Sequence, residues 1–177
     1  MNNVIRAIAF AADRHRNQRR KDADASPYVN HPIALANVLA NEGEIEDEDV
    51  LVAAILHDTI EDTETTEHEL VHLFGQRVAN IVSEVTDDKS LLKAERKRLQ
   101  VEHAAHISSR AKLVKLADKI CNLRDVAQNP PADWPLERKQ EYFDWAKAVV
   151  DGLRGAHPGL ETLFDESYRS GKEALAK

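Results

Sequence analysis

The sequence predicts an all-α fold, a bundle of helices around one core, and three observations carry that prediction. Apolar residues recur at helical spacing in segment after segment. Six Gly and six Pro in 177 residues leave long stretches with neither, too little punctuation for a turn-rich β fold. Short polar turns with recognisable start and stop residues separate the periodic segments. The length suits a single domain, residues 1–177, with a core large enough to stand without disulfides.

The elements follow in order. Residues 3–18 carry Val4, Ile5, Ile8, Ala9, Ala12 and His15 at helical spacing. Residues 19–30 are polar, with a loop at Ser26-Pro27. Pro32 biases His31 away from α geometry and suits the first position of a helix running to about Ala40, which ends near Gly43. Residues 47–60 are the most apolar stretch. Its alanines, its length and its acidic start (Glu46, Asp47, Glu48, Asp49) favour a buried helix over a buried strand. Thr66 with Glu69 reads as a capping box. Gly75 then separates a short helix from another over about 76–86. Residues 90–106 form a charged surface helix, and 110–127 a second central helix with Leu113, Leu116, Ala117, Ile120 and Leu123 on one side. Asn129-Pro130-Pro131 ends it. A helix over about 134–152 and a short one near 160–169 complete the chain.

Composition narrows the function classes. A net charge of −7 argues against nucleic acid as a partner, since phosphate-backbone binding needs a basic surface. One local exception is the run Arg14, Arg16, Arg19, Arg20, Lys21, a candidate anion patch. No apolar run reaches the ~20 residues of a membrane span, and the charged residues from Asp13 onward make the apolar start too short for a signal peptide. A single cysteine, Cys121, excludes an internal disulfide and fits a reducing compartment, so the cytoplasm is the expected location. The sequence leaves the oligomeric state open.

The chemistry concentrates in four residues. His57-Asp58 closes the most apolar helix, where an ionised Asp is costly unless paired or bound to a cation. His31 stands at a helix start, and Asp118 inside the second apolar helix. Singly, each has a bland reading as a hydrogen-bonded core or capping residue. Together, two His and two Asp make a mixed nitrogen and oxygen set that suits Mn²⁺, Fe²⁺ or Zn²⁺ better than Ca²⁺. Glu61 and Asp62 follow one turn after His57 and Asp58, so a continuing helix puts two carboxylates beside the metal, one of them able to orient or deprotonate water. Lys115, Asp118, Asn122 and Asp125 form one polar stripe, with Asn122 directed into the same cleft. His68/His72 and His103/His106 have ligand-like spacing but sit on charged segments and read as surface pairs. No P-loop, dinucleotide fingerprint or nucleophile elbow is present.

The motifs YVNHP, AAILHDTIEDT, FGQRVANIVSEVTDDKS and KLVKLADKICNLRD resemble the HD-type hydrolase domain of the RelA/SpoT family, whose enzymes remove the 3′-pyrophosphate of (p)ppGpp. HRNQRRKD and ERKRLQVEHA bring the chain nearest the small stand-alone members, including the metazoan SpoT homologues. The resemblance spans about residues 5–165. It implies an HD-domain helical bundle with one Mn²⁺ held by His31, His57, Asp58 and Asp118. It also implies a catalytic acidic pair, Glu61 and Asp62, and nucleotide contacts from Arg20, Lys21, Asn122 and Tyr142. Hydrolysis of ppGpp to GDP and of pppGpp to GTP is the implied activity, without the synthetase and regulatory domains of the long members. The rivals are an HD phosphatase for another nucleotide (a nucleoside monophosphate or NADPH), a nucleotide sensor that does not turn its ligand over, and a helical structural protein.

Overall fold

A computed structural model describes residues 2–176. The first helix, α1 (Asn2–Arg14), buries Ala7 and Ala11 and ends four residues short of the expected 18. The chain turns there because Gln18 N–H bonds back to His15 O at 2.9 Å, and Tyr28 N–H reaches Gln18 O at 3.1 Å to close the loop between. An isolated bridge between Arg19 and Pro27 is the one sheet-like pairing among the described residues. The loop delivers Gln18 and Arg20 to the cleft described below.

Helix α2 (Asn30–Asn37) corrects the expectation for His31, which lies inside the first turn rather than before it. First-turn N–H groups have no intrahelical acceptor, so Pro32 loses nothing at the third position. His31 N–H is satisfied by Tyr28 O at 3.0 Å. The helix widens into a π turn over Val38–Glu42, closed by Gly43 N–H to Val38 O at 2.8 Å. The apolar stretch forms α3 (Glu48–Leu56), capped by the Asp47 carboxylate on Asp49 N–H, with Val50 and Val52 to Leu56 buried. It breaks at His57-Asp58 and restarts as the single turn α4 (Thr59–Asp62), so the expected helix over 47–60 is two pieces.

Thr66 caps α5 (Glu67–Phe74) by accepting from Glu69 N–H, but the reciprocal half of the box is missing because the Glu69 carboxylate pairs with Arg14. Gly75, at φ +89°, makes the left-handed turn into α6 (Gln76–Val85). The charged helix α7 (Lys93–His103) has no buried residue. Helix α8 (Ser109–Gln128) is the spine: α2, α3, α6, α9 (Leu136–Asp151) and α10 (Pro158–Leu175) all pack on it. Its Leu116, Ile120 and Leu123 meet Phe143 of α9 and Phe164 of α10 in one core. Helix α10 is much longer than the segment 160–169 read from the sequence. Gly171, which resembles a breaker, is buried in its last third, where a Cβ would overlap the Phe143 ring. No helix among the described residues is long and apolar enough to cross a membrane.

Candidate active site

Three elements deliver the buried polar residues to one point. His31 enters from the first turn of α2, His57 from the end of α3 and Asp118 from the middle of α8, and ligand atoms of the three lie within 4.8 Å of one another. His31 Nε2 is 3.2 Å from Asp118 Oδ1, and His57 Nε2 is 3.9 Å from the same oxygen. His57 Nδ1 lies 2.8 Å from Ala54 O, a pairing only an N–H satisfies, so Nδ1 carries a proton and Nε2 is the ring nitrogen turned toward the cluster. That buried Nε2 faces two carboxylates, Asp58 Oδ2 at 2.9 Å and Asp118 Oδ1. A buried imidazole with its back nitrogen tied to a carbonyl and its front nitrogen facing a second imidazole and carboxylates is a donor set that fits a divalent transition metal, which would displace the front proton.

Asp58 stands apart from that triad. The break at its φ of −100° and ψ of 0° turns its carboxylate so that Oδ2 lies 2.9 Å from His57 Nε2 and accepts the Tyr28 hydroxyl, outside the mutual reach of the other three. Asp62 N–H still bonds to Asp58 O at 2.9 Å, so the two carboxylates of α4 keep the one-turn relation. Glu61 accepts Asp87 N–H at 3.2 Å and lies 3.9 Å from Arg96. Asp62 accepts from Gln18 Nε2 at 2.8 Å and from Lys89.

The electrostatics differ sharply between these neighbours. Burial acts against ionised Asp118, yet Lys119 at 3.0 Å and the two histidines hold its carboxyl well below the usual range. Burial also opposes a charged His57, but Asp58 and Asp118 outweigh it and push the imidazole up to about 9. Burial, reinforced by the Asp58 charge, pushes the Glu61 carboxyl up to about 7, where a general base at neutral pH is most effective.

Two adjoining cavities contain all of this. A pocket of about 150 Å³ is lined by the triad with Asp58, Glu61 and Lys115. It shares Arg20, Tyr28, His31 and Asn122 with a cleft of about 590 Å³, which also holds Lys21, Asp62 and Tyr142. All ten residues singled out in the sequence therefore line one or other cavity. Arg20 is paired with Asp125 at 2.5 Å, and Asn122 donates to Asp118 Oδ1 at 2.6 Å. Tyr142 packs between Trp134 and Trp145. Of the rest of the basic run, Arg19 also lines the cleft, while Arg14 pairs with Glu69 and Arg16 with Asp13. The paired histidines on α5 and near the end of α7 are exposed.

Sequence reasoning missed several contributors. Tyr28, inside YVNHP, donates to Asp58. Lys119 is 3% exposed, with its ammonium over the Trp145 ring, and a lysine beside Asp118 in an apolar helix was the available signal. Burial, then Arg138, Lys21 and Arg96, lower the pKa of Lys93, which marks a cluster of mutually repelling cations that no local motif announces.

A family model described as HD domain matches residues 7–144. A Danio rerio protein named guanosine-3′,5′-bis(diphosphate) 3′-pyrophosphohydrolase MESH1 is 58% identical over 165 residues, 93% of this chain and 92% of that one. The Homo sapiens protein of the same name is 56% identical over 166 residues, 94% and 93% of the two chains. A solved structure described as a metazoan ortholog of SpoT that hydrolyzes ppGpp superposes with a TM-score of 0.93 at 52% identity, covering 96% of both chains.

Proposed function

The chain belongs to the HD-domain family, and from that premise we infer that it is a guanosine-3′,5′-bis(diphosphate) 3′-pyrophosphohydrolase, converting ppGpp to GDP and pppGpp to GTP with release of pyrophosphate. The observation that carries the reading is the junction of the two cavities: a nucleotide-sized cleft with Arg20 and Lys21 on its wall opens onto the buried His31–His57–Asp118 cluster.

His31, His57 and Asp118 are the proposed holders of one divalent ion, with Asp58 beside them; the donor set suits Mn²⁺, Fe²⁺ or Zn²⁺, and the family resemblance favours Mn²⁺. Bound there, the ion supplies a Lewis acid for the phosphoryl oxygens of the 3′-diphosphate. The protein's own groups do the rest. Glu61 accepts the proton of the attacking water, and Asp62 fixes that water's direction. The water oxygen joins the inner phosphorus, the bond from that phosphorus to the ribose 3′ oxygen breaks, and the proton that Glu61 took from the water goes to the leaving 3′ oxygen. Lys21 offsets phosphate charge, while Arg20 released from Asp125 stacks on the guanine. The Asn122 amide oxygen, free while its NH₂ group holds Asp118, meets the ribose hydroxyl. Tyr142 closes the cleft wall. We place the reaction in the cytoplasm, where the buried free Cys121 stays reduced, and give the net charge of −7 no nucleic-acid partner.

The test is pyrophosphate release from ppGpp by metal-stripped protein, with and without added Mn²⁺, beside His57→Ala. Release that needs Mn²⁺ and is lost in the variant supports the reading. Release of phosphate from another nucleotide, with ppGpp untouched, refutes the substrate and leaves the metal site standing.

A further inference from the structure

Asp62 is held at both oxygens. Lys89 binds Oδ1, and Gln18 Nε2 donates to Oδ2 at 2.8 Å. An ionised carboxylate only accepts, so the NH₂ group of Gln18 faces Asp62 and its Oε1 faces away. That oxygen lies 2.6 Å from Nδ1 of His15. An amide oxygen also only accepts, so His15 carries a proton on Nδ1 and donates it to Gln18. His15 is 2% exposed, in the turn that ends α1. Its Nε2 is buried with no hydrogen-bond partner among the described residues. The polarity of this ring is therefore directed wholly at Gln18. Its opposite side packs on Tyr28, with ring centroids 4.9 Å apart, and Tyr28 donates to Asp58.

We propose that His15 and Gln18 are positioning residues for hydrolysis, a two-residue hydrogen-bonded strut that sets the direction of the Asp62 carboxylate. The proposal rests on the reading of Asp62 as the group that aims the water. An amide between imidazole and carboxylate passes no proton, so the strut orients and does not relay charge. A purely structural histidine would explain its burial, but not the matched run of donor to acceptor ending on a carboxylate in the cleft.

The experiment measures ppGpp hydrolysis by the Mn²⁺-loaded full chain, with thermal melts and direct Mn²⁺ titration, for His15→Leu, His15→Asn, Gln18→Leu, Asp62→Asn and the His15→Leu/Asp62→Asn double variant. Asn sets its amide nitrogen near the place of Nδ1 and keeps the donor. His15→Leu and Gln18→Leu are expected to lower kcat by about 10–100-fold, the usual loss for partners that orient a site residue. Mn²⁺ affinity stays unchanged, and for His15→Leu so does the KM for ppGpp. His15→Asn recovers most of kcat, and His15→Leu costs nothing further once Asp62 is Asn. Gln18→Leu breaks the same strut from a half-exposed position, so it carries the test if His15→Leu does not fold. Equal fold losses from His15→Leu with and without Asp62→Asn overturn the strut alone, as does His15→Asn no better than His15→Leu. Full kcat in Asp62→Asn overturns the role of Asp62 itself.

Discussion

Replacing Glu61 with Gln is expected to abolish hydrolysis while making the metal-free protein more stable. Burial, then the Asp58 charge, lift the Glu61 carboxyl from its ordinary 4.5 to about 7, against the opposing Asp87 N–H. The folded chain thus keeps a proton that the unfolded chain releases between about pH 4.5 and 7. Stability falls as pH rises through that window, and the full penalty is present above it. At ~1.4 kcal/mol per pH unit the ceiling is ~3 kcal/mol. The side chain is 18% exposed and Arg96 stands 3.9 Å away, so about half of the ceiling, ~1–2 kcal/mol, is the expected gain. A chain of this size gains ~2–4 °C per kcal/mol, so Glu61→Gln melts about 2–8 °C higher. The assay is a thermal melt in chelator at pH 8 and at pH 4.5, beside a turnover measurement with metal, where loss of a general base costs about 10²–10⁴-fold. A melt at or below wild type at pH 8, or an equal gain at pH 4.5, refutes the reasoning.

Other outcomes follow from the same geometry. Asp118→Asn leaves the 3% exposed Lys119 without its anion and should cost ~3–5 kcal/mol as well as metal binding, measured by denaturant unfolding and metal titration. Free Mn²⁺ at ~100 times its Kd should stabilise the chain by ~2.7 kcal/mol, seen as a higher melting temperature that His57→Ala abolishes. Gly171→Ala forces a Cβ into the Phe143 ring and should cost ~1–3 kcal/mol in a chemical melt, with kcat unchanged because the site is elsewhere. With metal bound, kcat/KM should rise with pH and level off at or below about 7, because Glu61 works ionised and a nearby cation lowers its pKa. A profile falling over that range would point to a protonated acid instead.

The fold was legible where the signal was local. Periodicity located nearly every helix, and a His-Asp pair or a lone Asp in an apolar run marked buried charge that needed a partner. The pieces that escaped depend on contacts distant in the chain. Asp58 faces His57 Nε2 at 2.9 Å and accepts the Tyr28 hydroxyl across a backbone break whose dihedrals no motif reports. Glu69 leaves its capping box for Arg14, 55 positions away. Helix α10 runs on past residue 169 through Gly171, whose missing side chain leaves room for the Phe143 ring. Gln18 looks like one more polar residue in a basic loop until the fold sets it against Asp62.

An acidic chain that takes a polyanion needs its charges separated, and the cleft separates them. The small pocket gathers Asp58, Glu61 and Asp118 against the buried cations Lys115 and Lys119. Its imidazole and its uppermost carboxyl both shift toward holding a proton, which is how buried excess negative charge expresses itself. A divalent cation answers the same excess with more charge than a proton, and it would take the place of the proton on His57 Nε2, which faces Asp58 and Asp118. Beyond that pocket cations join the wall: Arg20 and Lys21 line the cleft beside Asp22, Asp62 and Asp125, and Lys93 and Arg138 stand near enough to Lys21 to repel one another. Burial and those neighbouring cations keep the charge on Lys93 costly until an anion arrives. The two ends of a guanosine carrying a diphosphate on both its 3′ and 5′ oxygens would meet opposite needs, one phosphate pair at the metal pocket and the other at the basic rim. Net charge thus says little about the substrate, while the distance over which the charge reverses says a great deal.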